Sequence, residues 1–199
     1  MQSDKNMNAT DILEKTIDKL AHPDSYDLVY VPKHERPIPS NEVLANIVDL
    51  LRGILFPGYY GNSCFNTKTL QYHIGVNVDR VYNMLTDQIQ NGICFACRTK
   101  SFEECNKCEE ESPKIAAAFL SKLPEIRRVL STDVKAAYNG DPAATSMSEI
   151  IYCYPTVRAL SNHRIAHELL KFEVPLLPRI ISEMAHSETG IDIHPRAEI

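Results

Sequence analysis

No apolar run in the 199-residue chain approaches the roughly 18 residues that a membrane-spanning helix needs. The first residues, MQSDKNMN, are polar, carry one lysine and have no apolar stretch behind them, so they do not read as a secretory signal. A basic excess is missing too. Lys plus Arg number 21 against 26 for Asp plus Glu, a net charge of −5. Such a surface does not suit nucleic acid or an anionic membrane, both of which reward clustered cations. Six cysteines are too few to staple a chain of this length. Without an export signal they read as reduced thiols or metal ligands rather than a disulfide framework. The expected compartment is the cytoplasm. Strand punctuation is scarce, and no internal repeat with a period of roughly 20–50 residues is visible.

What remains is the composition of an ordinary globular protein, 44% apolar and 24% charged, long enough for one to two domains at about 150 residues each. Helical spacing dominates. Residues 10–20 place Ile12, Leu13, Ile17 and Leu20 on one stripe with Thr10 as N-cap. Residues 21–39 hold four prolines and read as an extended connector. Ser40 caps a second helix carrying Val43, Leu44, Ile47, Leu51, Ile54 and Leu55, which must stop by Pro57-Gly58. A third runs from about Thr67 to Asn91, with Leu70, Ile74, Val81, Leu85 and Ile89 on one face and Gly92 as its C-terminal cap. After an insert over 93–111, Ser112-Pro113 caps a further helix. Leu123-Pro124 restarts it as far as Asn139-Gly140. Ser146 and Glu149 form a capping-box pair. The helix they open ends near Tyr154. Pro155 opens another to about Phe172, and Pro175 the last, closing at Gly190. The predicted fold class is all-α.

The last nine residues, IDIHPRAEI, break that pattern. Ile193 and Ile199 stand six apart with the small Ala197 between them, the spacing of a hexapeptide repeat in a parallel β-helix. One coil cannot bury its own apolar face. The expected organisation is therefore an N-terminal helix and connector over 1–39, a helical domain over 40–190 and the start of a β-helix over 191–199.

Within the insert, Cys94-x2-Cys97 and Cys105-x2-Cys108 are two knuckle-type pairs seven residues apart. Four thiolates at that spacing can close a tetrahedral structural Zn²⁺ site, worth on the order of 10 kcal/mol of folding energy. The competing reading is an intracellular loop of reduced cysteines. His163 and His167 form an i, i+4 pair that could share a metal or simply sit on a packed helix face. Position 164 is Arg, where a metalloprotease helix carries Glu.

The stretches LSTDVKAAYNGDPAA (130–144), EIIYCYPTVRALSNHRIAHELL (149–170) and VPLLPRIISEMAHSETGIDIHP (174–195) resemble serine O-acetyltransferase. With LRGILFPGYYG (51–61), they are similar to the branch of that family with a long N-terminal helical extension. The resemblance covers roughly residues 40–199. It implies an all-helical N-terminal domain followed by a left-handed β-helix, trimers often paired into hexamers, and transfer of the acetyl group of acetyl-CoA to L-serine in cysteine biosynthesis. It further implies cysteine synthase as a partner through a C-terminal tail. The family's catalytic histidine and acetyl-CoA groove lie on coils that follow the Ile-His-Pro turn, so the sequence reads as truncated and inactive alone.

A serine hydroxyl is protonated at neutral pH, so its attack on a thioester needs a positioned base. A carboxylate partner fixes that base's tautomer. The resemblance assigns the orienting carboxylate to Asp192 in GIDIHP, and the carboxylate that binds the ammonium of serine to Asp141 in GDPA. Without the resemblance each would be an ordinary turn residue. His194 shares a face with Asp192 if the segment is extended, yet the family motif gives it no role as base. The alternative to an enzyme is a non-enzymatic helical oligomerisation module, zinc-clipped at the four cysteines.

Overall fold

The computed structural model describes residues 8–30, 36–61, 66–97 and 102–199, with side chains left aside at 25, 26 and 102–107. The chain divides into two compact units, Met1–Pro32 and Lys33–Ile199. The first holds α1 (Ala9–Leu20) and a 3-10 turn over Pro23–Leu28. Asn8 rather than Thr10 caps α1, since its Oδ1 accepts the Asp11 N–H at 2.9 Å. The predicted stripe is present but exposed, and none of the residues of α1 is buried. The 3-10 turn also replaces part of the predicted extended connector, because Pro23 presets the φ that a tight turn needs.

The second unit contains α2 (Asn41–Leu55), α3 (Leu70–Ala96), α4 (Phe102–Leu120), α5 (Leu123–Gly140), α6 (Met147–Cys153), α7 (Pro155–Lys171) and α8 (Leu177–Thr189). Ser40 caps α2 as expected, its Oγ accepting from the Val43 N–H at 3.4 Å. The apolar positions at helical spacing become the core: Leu44, Leu51, Leu85, Ile89, Phe119, Leu130, Ile165, Leu169 and Ile181 are all at most 1% exposed. Packing pairs α3 with α4 and α7 with α8, and α2 lies against α3. Arg52, itself buried, joins three helices. Its Nη2 donates to Asn162 Oδ1 on α7 at 2.8 Å and to Glu188 Oε2 on α8 at 2.9 Å.

Three predicted boundaries move. α3 continues through Gly92 to Ala96, so Gly92 is no cap. Its missing side chain instead makes room for Pro175, whose carbonyl oxygen would lie 2.7 Å from a Cβ there. The insert over 93–111 is mostly helical, since α4 begins at Phe102 and holds Pro113 in its interior. Proline there forgoes one backbone bond, while Ser112 Oγ bonds back to the Cys108 carbonyl at 2.7 Å. The last helix starts at Leu177 with Pro178 in its first turn. Between α7 and α8 the chain closes a Schellman motif, with Glu173 N–H on Leu170 O and Val174 N–H on Leu169 O. Glu173 therefore sits at φ 56°. Buried Leu169 and Val174 supply the apolar contact that accompanies such caps.

Gly190, at φ 73°, ends α8 as predicted. Beyond it, residues 191–199 form no strand, and their only regular feature is a turn at Pro195-Arg196 that Ala197 N–H closes onto His194 O at 2.9 Å. An extended rung has no ladder to join without a stacked neighbour.

Candidate functional site

The most organised polar loop lies between α5 and α6. Asp141 caps the C-terminus of α5 in an extended conformation. Its Oδ1 accepts the Ala143 N–H at 2.9 Å, and its Oδ2 accepts the Tyr154 hydroxyl at 2.5 Å. The first contact is the turn-forming habit of aspartate. The second crosses α6, because Tyr154 stands where α6 ends and Pro155 starts α7. Together they hold the Asp141 carboxyl below its usual range, the Tyr154 hydrogen bond contributing most and the Ala143 amide next. The same bond, with desolvation behind it, pushes the Tyr154 phenol up to about 12. Each carboxylate oxygen spends one of its two lone-pair directions inside the chain. The other remains for a ligand, and an ionised carboxylate held this way suits an ammonium group.

Glu149 adds a second negative charge to the loop. Ser146 Oγ accepts from the Glu149 N–H at 3.1 Å, which is half of the predicted capping box. On the other side the Glu149 carboxylate reaches back, its Oε2 accepting from the Thr145 N–H at 2.7 Å and the Thr145 hydroxyl at 2.5 Å. The Ser146 amide, the reciprocal donor of the predicted box, adds a smaller contribution, and together these bonds hold the Glu149 carboxyl below its usual range.

Replacing Tyr154 with Phe should return the Asp141 carboxyl toward its ordinary value, leaving only the weaker Ala143 contribution. Carboxyl-carbon NMR titration measures this directly. An unmoved Asp141 titration would show that the tyrosine does not set its charge.

Asp192 follows the left-handed cap at Gly190, and its side chain is exposed. His194 is exposed as well, and its Nδ1 accepts the Arg196 N–H at 3.1 Å, which fixes the proton of a neutral ring on Nε2. Its ring is thus engaged with its own turn. No hydrogen bond or ion pair among the described residues joins Asp141 to Asp192. His163 and His167 lie on one face of α7, ring centroids 5.6 Å apart. His167 Nδ1 meets the Pro195 carbonyl at 2.8 Å, and a carbonyl only accepts, so the ring carries its proton there.

Cys94 is buried near the end of α3, Cys97 caps that end, and Cys108 lies on α4. The side chain of Cys105 is outside the described residues. Among those described, no group of three or more His, Cys, Asp or Glu side chains gathers to hold a metal ion. Tyr154, Arg164 and Ser182 had no role in the sequence reading. The contact from Tyr154 to Asp141 spans 13 residues and that from Arg164 to Asp133 spans 31, and neither leaves a local pattern.

Comparison with known proteins finds serine acetyltransferases. The plasmid-encoded serine acetyltransferase of Synechococcus elongatus is 44% identical over 165 residues, 82% of this chain and 52% of that one. The serine acetyltransferase of Mycobacterium tuberculosis is 46% identical over 67 residues, covering 34% of this chain. Among solved structures, serine acetyltransferase 1 of Entamoeba histolytica superposes with a TM-score of 0.59 at 28% identity, over 92% of this chain and 63% of that one. Isoform 3 from the same organism, in complex with cysteine, gives 0.60 at 26% identity, over 94% and 60%. The chain thus spans about half the length of the Synechococcus relative. No family model matches it.

Proposed function

We infer that this chain, a serine acetyltransferase homologue over 165 residues, forms the helical part of an acyltransferase that moves the acetyl group of acetyl-CoA to L-serine. Asp141 binds the ammonium of serine. Asp192 orients a histidine that takes the hydroxyl proton as the serine oxygen attacks the thioester carbon. The CoA thiolate leaves and is protonated, giving O-acetylserine and CoA. The observation that carries the reading is the Asp141 carboxylate, held ionised in an exposed loop by Tyr154 and Ala143. No residue of this chain is assigned to acetyl-CoA, and Cys94, Cys97, Cys105 and Cys108 enter no step. The enzyme acts as a homo-oligomer, trimeric or hexameric, in the cytoplasm. No helix among the described residues is long and apolar enough to cross a membrane.

The exposed apolar stripe of α1 favours a second reading, in which the helical part serves assembly alone. The two separate in a fusion of this chain to the portion of the Synechococcus protein that it does not match. The fusion should release thiol from acetyl-CoA in the presence of serine, and the 199-residue chain alone should not. In the fusion, Asp141→Ala should raise the serine KM about 10–100-fold, the worth of one charge-assisted contact, with the acetyl-CoA KM unchanged. Asp192→Asn should lower kcat about 10²–10⁴-fold, the range for a base and its orienting acid. A fusion that assembles but never turns over favours the assembly reading.

A further inference from the structure

The segment 191–199 has no strand partner, yet three of its carbonyls are bonded by the helical body, each by a different side chain. Ser182 Oγ on α8 donates to Ile193 O at 2.7 Å, His167 Nδ1 on α7 to Pro195 O at 2.8 Å, and Arg164 Nη1 on α7 to Ile199 O at 2.7 Å. Each donor is itself fixed. Ser182 is 2% exposed. Arg164 is locked by a two-pronged pair with Asp133, Nη2 to Oδ1 at 2.9 Å and Nε to Oδ2 at 3.2 Å. The His167 ring leans on the buried ring of His163.

The accepting carbonyls lie before, within and after the turn at Pro195-Arg196, and there Pro195 is buried while Asp192 and His194 are exposed. Donors with fixed rotamers that read only main chain set the path of a segment whatever side chains it carries. Non-specific packing would supply apolar contacts, not three aligned donors, and a buried hydroxyl such as Ser182 needs a partner in any case.

We propose that Arg164, His167 and Ser182 are positioning residues for Asp192, holding the main chain that follows it so that its carboxylate leaves the helical body on a fixed backbone. The proposal rests on the reading of Asp192 as the acid that orients the base. It makes the α7–α8 pair a template for the segment leaving α8, and it assigns a use to the His163/His167 face without a metal.

Paired variants test it. In the 199-residue chain, His167→Leu and Ser182→Ala should each speed hydrogen exchange at the Ala197 amide about ten-fold, as the tail opens locally, while the α7 and α8 amides keep their rates. His167→Asn keeps a donor near the Nδ1 position and Ser182→Thr keeps the hydroxyl, so both should restore protection. In the fusion, the Leu and Ala variants should lower kcat with the serine KM within two-fold, and the Asn and Thr variants should recover it. Unchanged exchange in His167→Leu and Ser182→Ala overturns the inference, and so does faster exchange with unchanged kcat. Asp192→Asn probes the underlying reading separately, because it alters no donor to the tail. If its kcat equals that of the parent fusion, Asp192 loses its role and the positioning claim goes with it, even where the exchange results stand.

Discussion

Gly92→Ala should destabilise the protein by about 2 kcal/mol, although alanine is the better helix former by about 1 kcal/mol. Gly92 lies within α3, where the helix meets the entry to α8. A methyl group there would stand 2.7 Å from the Pro175 carbonyl oxygen and 3.0 Å from Leu177 Cδ1. The leucine can swing aside; the carbonyl cannot. It already accepts the Leu177 N–H at 2.7 Å, and the next residue, Leu176, is held at φ 64°. Relief therefore requires α3 and the turn before α8 to part, which loosens Ile89 and Leu177 in the core. Gly75 provides the control. It occupies the same helix with nothing within 4 Å of its would-be Cβ, so Gly75→Ala should stabilise by up to about 1 kcal/mol. Urea midpoints of the two variants should move in opposite directions. If both move upward, the contact between α3 and Pro175 does not constrain the fold.

That glycine also shows where local reading of the sequence stops. Gly92 follows an apolar stripe, and a glycine after a stripe is the ordinary mark of a helix end. The signal that α3 continues sits more than 80 residues away at Pro175, where backbone must approach backbone. Helix existence was legible because burial of one face repeats every turn, and Leu85, Ile89, Leu130 and Ile165 declare it locally. Caps followed where the partner is three residues off, as at Ser40 and Ser146. The pattern is incomplete where one acceptor meets several donors, as when Glu149 takes its strongest bonds from Thr145 as well as one from Ser146. Pro113 misled for a different reason. A proline inside a helix costs a hydrogen bond, but α4 gains enough burial at Ala116 and Phe119 to continue past it.

The functional residues divide in the same way. Asp141 could be singled out because GDPA is a compact motif carried by the family resemblance. Tyr154, the larger of the two influences on its charge, lies within the 149–170 stretch of the resemblance but is given no role by it. It reaches Asp141 only because α6 is seven residues long and returns the chain beside the end of α5. The donors to the tail were equally hidden. His163 and His167 are visible as a pair on a helix face, but the segment that fills this face comes from beyond α8. Arg164, where a zinc-binding helix would carry Glu, serves instead to bond Asp133 and the Ile199 carbonyl.

His163 should make the fold acid-sensitive well above the range where carboxylates titrate. Its side chain is 2% exposed, and neither ring nitrogen reaches a hydrogen-bond partner at good geometry, although the Ala197 main chain lies beside it. Burial first, then the nearby Arg164 and His167, pushes its pKa from 6.5 down to about 4. The folded protein thus keeps the ring neutral over a range in which the unfolded chain takes up a proton. Above pH ~6.5 both states are neutral and the residue has no effect on stability. As the pH falls below that, proton uptake favours the unfolded chain. About 2 kcal/mol should be gone by pH 5, and about 3 kcal/mol once the folded-state value is passed. The carboxylates of Asp141, Glu149 and Glu188 are held below their usual range, so their contribution is lost at lower pH and does not mask this window. Chemical denaturation at pH 7 and pH 5 gives the difference. The His163→Leu variant, similar in volume and unable to titrate, should lose most of it. An equal loss in the parent and the variant would mean that His163 already takes its proton inside the folded protein, with the ring open to water or newly bonded to the main chain at Ala197.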